Sequence, residues 1–192
     1  TKSQHSKILF KKNILLSDVS FFFNQKDKLI NKLSIKIKKN SKTGVIGESG
    51  SGKSTLAHLI LGLLDPSKGK IKIDGIVLKK SDKINWRARI GYVGQKIALI
   101  NGGVKENIIL DKDYDKKKFN NIIKACSLES FIKRRINYIN LKSNIAAKIS
   151  GGEAQRIRLA RALYQKPEIL IMDESTNAID KVNEQKILKY IY

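Results

Sequence analysis

The chain has 192 residues, one cysteine (Cys126) and a formal net charge of +22, a length that supports one domain with a proper core and a smaller attached lobe. A lone cysteine excludes an intramolecular disulfide and reads as a small buried apolar residue. No stretch reaches the ~18–20 consecutive apolar residues of a membrane span, and the polar, lysine-dotted N-terminus lacks a signal-peptide pattern, so a soluble chain is expected.

The lysines are spread over Lys11-Lys12, Lys38-Lys39, Lys79-Lys80 and Lys116-Lys117-Lys118. That spacing reads as a solvated basic surface; the alternatives are a nucleic-acid or anionic-membrane partner. Residues 1–12 read as a polar tail or linker. Ile14-Leu15-Leu16 and Val19 to Phe23 are strand material, followed by a turn at Asn24-Gln25-Lys26-Asp27, and Leu33 to Lys38 alternates apolar and polar with period two. An antiparallel β-layer is therefore expected before residue 40.

Thr43-Gly44-Val45-Ile46 is a short, partly β-branched run suited to a buried strand, and it leads into Gly47-Glu48-Ser49-Gly50-Ser51-Gly52-Lys53-Ser54-Thr55. This loop fits G-x-x-x-x-G-K-[ST] without mismatch. Small residues let successive backbone N–H groups converge on an anion. Lys53 adds a point charge for the outer phosphates, Ser54 offers a hydroxyl to Mg²⁺, and Thr55 opens a run of helical spacing to Leu61 whose positive end faces the same oxygens. The loop reads as a nucleoside-triphosphate cradle; the bland alternative is a Gly/Ser-rich linker.

Further along, Asp65 to Gly69 is a turn, Lys70 to Gly75 alternates again, and Ile90-Gly91-Tyr92-Val93 is a short strand ending at Gln95. From there to Lys148 the pattern is helical, clearest at Phe119 to Ala125 and Phe131 to Ile136, and suggests an inserted lobe. Ser150-Gly151-Gly152 opens a helix that Pro167 stops, and Glu168-Ile169-Leu170-Ile171-Met172-Asp173 reads as a strand buried on both faces. Strand, loop, helix and a later acid-ended strand give the order of an α/β P-loop fold. Asp173 at that strand's end is placed to hold Mg²⁺, and Glu174 to polarise a water in line with the γ-phosphate.

With Ile149-Ser150-Gly151-Gly152-Glu153 followed by Ala154-Gln155-Arg156-Ile157, the chain resembles the nucleotide-binding domain of ATP-binding cassette proteins from about Ile14 to Tyr192. The resemblance implies an α/β P-loop ATPase with a mixed-sheet core, an N-terminal antiparallel β-layer and an inserted helical lobe. It implies a core at 13–94 and 149–192, a helical subdomain at 95–148 and a linker at 1–12. It further implies ATP and Mg²⁺ as ligands and hydrolysis involving Glu174, Lys53 and Gln95. Gln95 corresponds to the glutamine that senses Mg²⁺ and the attacking water and touches the membrane partner. Ser150, Gly151, Gly152 and Glu153 would face the γ-phosphate held by a second copy, so that two ATP molecules close a head-to-tail dimer.

Ser175 to Asp180 resembles the loop through which the two copies meet, with Asp180 the matching acid. Phe23 stands where the family stacks an aromatic on adenine; packing within the Phe21-Phe22-Phe23 run is the alternative. Three departures stand out. Glu153 replaces the commoner glutamine, implying a weaker neutral contact with the glycine amides intact. Asn144-Ile145-Ala146-Ala147 replaces an acidic, glycine-containing segment, and the switch histidine would lie beyond Tyr192, since His5 and His58 are misplaced for it.

Ile90 to Gln95 followed by Ile100 to Ile108 looks like the exporter type, which implies a transmembrane domain in the same or a partner chain, at the cytoplasmic face of the inner membrane, and no specific nucleic acid. A soluble cassette ATPase acting on nucleic acid or the ribosome is the first rival. A non-catalytic nucleotide-binding fragment is the second.

Overall fold

The structure is a computed structural model, described here for residues 8–24, 28–94, 99–134 and 149–173. The chain divides into two compact units, Thr1–Ile90 and Gly91–Tyr192.

The first unit is built on β1 (Asn13–Phe22), β2 (Lys28–Lys38), β3 (Lys68–Ile73) and β4 (Ile76–Val77), in the order β2-β1-β3-β4. Every pairing in this sheet is antiparallel. Ile14 lies opposite Ile37 and Ile73, and Leu16 opposite Ile35 and Ile71, so one face gathers aliphatic residues while Leu15 meets Lys36 and Lys72 on the other. Burial of Ile14, Leu16, Ile71 and Ile73 stabilises this layer by roughly 1.5–3 kcal/mol per side chain. The two expected strand pieces at 14–16 and 19–23 are one strand that ends at Phe22, leaving Phe23 in the bend beyond it, with an irregular register between Leu16 and Val19.

β3 and β4 are joined by Asp74-Gly75, both at positive φ (50° and 87°), the backbone a two-residue hairpin loop requires. The Asp74 carboxylate then accepts backbone N–H bonds from Lys11, Lys12 (2.8 Å) and Asn13 (2.7 Å), tying down the start of β1. Burial would raise its pKa, but those bonds, from Asn13 first, and the Lys12 charge outweigh it and hold the carboxyl below 3.8.

Two expectations fail in this unit. Ile8 and Phe10, placed in a polar tail, are buried: Phe10 meets Trp86 edge-on at 6.0 Å, because two apolar side chains among polar ones suffice to dock a segment. Thr43–Ile46 forms no strand, and Ile46 is 99 % exposed. β-branched residues favour a strand only where a neighbouring ladder receives their backbone groups, and the sheet of this unit does not extend to them.

α1 (Lys53–Ile60) follows, with Leu56, Ala57, Leu59 and Ile60 buried. A 3-10 turn at Lys80–Asp82 and α2 (Lys83–Arg87) complete the unit. The Trp86 indole donates to the Ile60 carbonyl at 2.7 Å, fixing the buried ring to the end of α1.

The second unit contains β5 (Ile90–Val93) from Gly91 onward, α3 (Val104–Ile109), α4 (Lys116–Ala125), α5 (Glu129–Arg134), α6 (Gly151–Tyr164) and β6 (Ile169–Met172). α4 starts where the Asp115 carboxylate accepts from the Lys118 N–H (2.9 Å) and buries Phe119, Ile122 and Ile123, the i, i+3, i+4 face of a helix. These pack with Val104, Ile157 and Ala160 in one core. Cys126 lies in that core, and burial pushes its thiol pKa up to about 12. β5 and β6 form a two-stranded sheet. β6 is half-buried and Met172 is exposed, not buried on both faces as its apolar run implied, because within this unit β5 is its sheet neighbour among the described residues. Among those residues, no helix is long and apolar enough to cross a membrane.

Candidate functional site

In the first unit, Gly47, Glu48, Ser49, Gly50 and Ser51 are exposed on the loop before α1. Gly50 (φ 81°) and Gly52 (φ 92°) take left-handed backbone, a conformation that costs an L side chain about 1–2 kcal/mol. A Cβ on Gly52 would also lie 3.2 Å from Leu29 Cγ. The turn these glycines allow brings the Lys53 ammonium back over the loop, where it donates to the carbonyls of Gly47 (2.8 Å) and Glu48 (2.6 Å). α1 has no side-chain cap. Its first N–H groups and the lysine charge therefore sit at one helix end, the setting in which phosphate oxygens are bound.

Ser54 is exposed and Thr55 half-buried on the first turn. Phe23 is 73 % exposed, with its ring edge-on to Phe21 at 5.0 Å, so packing inside the core does not account for it. Phe21 is the buried ring of that run. His58 lies half-buried on α1; His5 lies outside the described residues.

In the second unit, Ser150 is the N-cap of α6 and closes a reciprocal box. Its Oγ accepts from the Glu153 N–H (3.3 Å), and its own N–H donates to Glu153 Oε2 (2.9 Å). Gly151 is exposed, with nothing within 4 Å of where a Cβ would stand, and Gly152 is half-buried. α6 is held from behind by Arg161, which donates to the Asn107 carbonyl (2.7 Å) and side-chain oxygen (2.8 Å). Burial and the nearby Arg158 charge lower the Arg161 pKa. Asn107 is fully buried and also bonds Ile100 and Gly103, so one side chain links α6 to the segment 100–103.

Asp173 follows β6, and its N–H donates to the Val93 carbonyl at 2.9 Å. Tyr92 on β5 hydrogen-bonds the Asp173 carboxylate; burial, the Asp173 charge and that bond raise the phenol pKa. Tyr92 and Asn107 are partners that no local pattern announces, because each meets its counterpart through packing across distant segments. Gln95, Glu174 and Asp180 lie outside the described residues.

The donors suit the ligands expected of them. Ser54 and Asp173 supply oxygen, the hard donor that Mg²⁺ prefers. Among the described residues no group of three or more His, Cys, Asp or Glu gathers as a metal cage, and a Mg²⁺ shared with substrate phosphates needs none. The glycine turn with its inward ammonium suits a phosphate chain.

Residues 30–177 match the family described as ABC transporter. The lactococcin-A transport/processing ATP-binding protein LcnC of Lactococcus lactis subsp. lactis is 35% identical over 181 residues, covering 92% of this chain and 25% of the relative. The putative export ATP-binding/permease protein RT0691 of Rickettsia typhi is 37% identical over 186 residues, covering 93% of this chain and 32% of the relative. A solved bacterial Atm1-family ABC exporter with ATP bound superposes with a TM-score of 0.86 at 31% identity, covering 94% of this chain and 32% of that one. The chain thus spans about a quarter to a third of the length of these relatives.

Proposed function

The chain belongs to the ABC transporter family, with its α/β P-loop ATPase fold, and on that basis we propose that it is the ATP-hydrolysing motor of an exporter. The observation that carries this reading is the loop before α1: left-handed glycines, an uncapped helix start and the Lys53 ammonium turned inward. The loop amides and Lys53 hold the β- and γ-phosphates, and Phe23 offers its exposed ring to adenine. Ser54, Asp173 and Gln95 would hold Mg²⁺, which would supply charge neutralisation at the phosphates. Tyr92 keeps the Asp173 carboxylate oriented.

Glu174 polarises a water that attacks the γ-phosphorus as the bond to ADP breaks. Ser150, Gly151, Gly152 and Glu153 meet the γ-phosphate on a second copy, and Asp180 lies in the loop where the copies touch. Residues 13–94 and 149–192 form the ATP-binding core and 95–148 the helical subdomain. The name of the Rickettsia typhi relative joins ATP binding to a permease, which supports a transmembrane partner, in the same or another polypeptide, at the cytoplasmic face of the membrane.

The test is Glu174→Gln in the intact polypeptide with ATP and Mg²⁺. The expected outcome is a trapped, ATP-bound closed dimer with turnover abolished. Intact turnover and no closure would remove Glu174 from this role. The net charge of +22 favours one other reading, a cassette ATPase acting on nucleic acid. Steeply salt-dependent RNA or DNA affinity, without transport by reconstituted vesicles, would establish it instead.

A further inference from the structure

We propose that Gly94 is a positioning residue for the Mg²⁺ carboxylate: it seats the ring of Tyr92, and the seated phenol holds Asp173. The inference rests on the reading above, in which Asp173 is a ligand of Mg²⁺, and adds the residue that keeps this ligand in place. Its basis is one face at the end of β5. Side chains alternate along a strand, so Tyr92 and Gly94 share the side opposite Val93, which is fully buried. The Val93 carbonyl accepts the Asp173 N–H at 2.9 Å, which brings the acid beside this pair, and the Tyr92 hydroxyl donates to its carboxylate.

Gly94 is itself buried, and a Cβ built on it would stand 2.7 Å from the Tyr92 Oη and 2.8 Å from its Cε1 and Cζ. The phenol lies in the space that any other residue would fill. Backbone freedom does not account for the glycine, because Gly94 does not take the positive φ of Gly50 and Gly52, and an alanine could follow the same main-chain path. What excludes a side chain here is the ring. Non-bonded carbons rest about 3.5–4.0 Å apart, so a methyl group at Gly94 drives the ring away by roughly 1 Å. That is enough to break a hydroxyl–carboxylate bond, whose oxygens must lie within about 3.0 Å. A carboxylate offers about four lone-pair sites; the one given to Tyr92 fixes its plane and leaves the others for the ion. Gln95, the other residue assigned to Mg²⁺ in this unit, follows Gly94 directly in the chain.

The test is a double-mutant cycle in the intact polypeptide, with protein in excess over a non-hydrolysed ATP analogue and Mn²⁺ as the probe, its affinity read from the paramagnetic resonance of the free ion. Removing a partner that orients a metal ligand costs about 10–100-fold in metal affinity, so Tyr92→Phe and Gly94→Ala are each expected to weaken Mn²⁺ binding by about tenfold or more. In a Tyr92→Ala background, where there is no ring to displace, Gly94→Ala should cost nothing further. Nucleotide affinity in EDTA should stay the same throughout, because Lys53 and its loop are untouched. Wild-type Mn²⁺ affinity in either Tyr92→Phe or Gly94→Ala overturns the proposal. So does an equal loss from Gly94→Ala with and without the ring, which would put the effect in the main chain leading to Gln95. Asp173→Asn separates the proposal from the reading beneath it: a large loss there beside wild-type affinity in Tyr92→Phe removes only the seat, whereas unchanged affinity in Asp173→Asn removes Asp173 from the metal site, and the proposal with it.

Discussion

The helix starts of α1 and α6 use the same raw material in opposite ways. α1 follows a Ser- and Gly-rich loop, α6 opens on Ser150-Gly151-Gly152, and each presents N–H groups at a helix end. α1 is entered through left-handed Gly52, has no side-chain cap and gathers the Lys53 ammonium beside its amides. α6 is entered through Ser150 in extended backbone and is closed by its own Glu153. Glycine content alone therefore does not define an anion site; what matters is whether a neighbouring side chain has satisfied the end first. The uncapped end is expected to bind triphosphate on its own, and the capped end to contribute only when a second copy closes.

The sharpest way to break this contrast is Lys53→Ala. Loss of a charged donor from the uncapped end should weaken nucleotide binding by about 100-fold, or roughly 2.7 kcal/mol, measured by fluorescent-nucleotide titration; a change under threefold would show that the end at α1 is not the binding end. Gly52→Val follows, since a β-branched residue at φ 92° beside Leu29 should cost about 2 kcal/mol of stability and distort the loop. A lower melting temperature together with lost nucleotide binding would be the sign of both.

Ser150→Ala is expected to cost about 1 kcal/mol through the lost cap while leaving open-state ATP affinity as it was. Weakened binding in that titration would mean that the two ends are not separate in function. Asp74 provides the smallest effect and a control that belongs to neither helix start. Its folded pKa is depressed, so its contribution is present at and above pH 3.8 and fades as the pH falls below that value through the folded pKa. Urea titrations of wild type and Asp74→Asn should therefore differ near neutrality and converge in strong acid, with nucleotide binding equal throughout.

Much of this architecture is legible in local spacing. The alternation of Leu33–Lys38 and Lys70–Ile73, the helical runs after Gly52 and Ser150, and the strand at Ile90–Val93 all appear where their patterns place them. Phe23 shows the reach and limit of such reading: the triple-phenylalanine run reads as strand, but only Phe21 and Phe22 belong to β1. Phe21 faces the core and Phe23 does not, because β1 ends at Phe22 and Phe23 stands in the bend beyond it, without a ladder partner among the described residues. Ile8, Phe10 and Thr43–Ile46 went the other way, the first two docking and the last remaining unladdered.

By itself the sequence determined what depends on neighbours within one or two turns: the glycine backbone of the phosphate loop, the Ser150-to-Glu153 box, the helix faces, and through these the family. Tertiary structure alone decided which partners meet across long separations. It joined Tyr92 to Asp173, Arg161 to Asn107 and Asp74 to the start of β1. The reason is physical: caps and periodicity are set by bonds between residues three or four apart, whereas a buried hydrogen bond or a ladder between distant segments exists only when a shared core has brought them into contact.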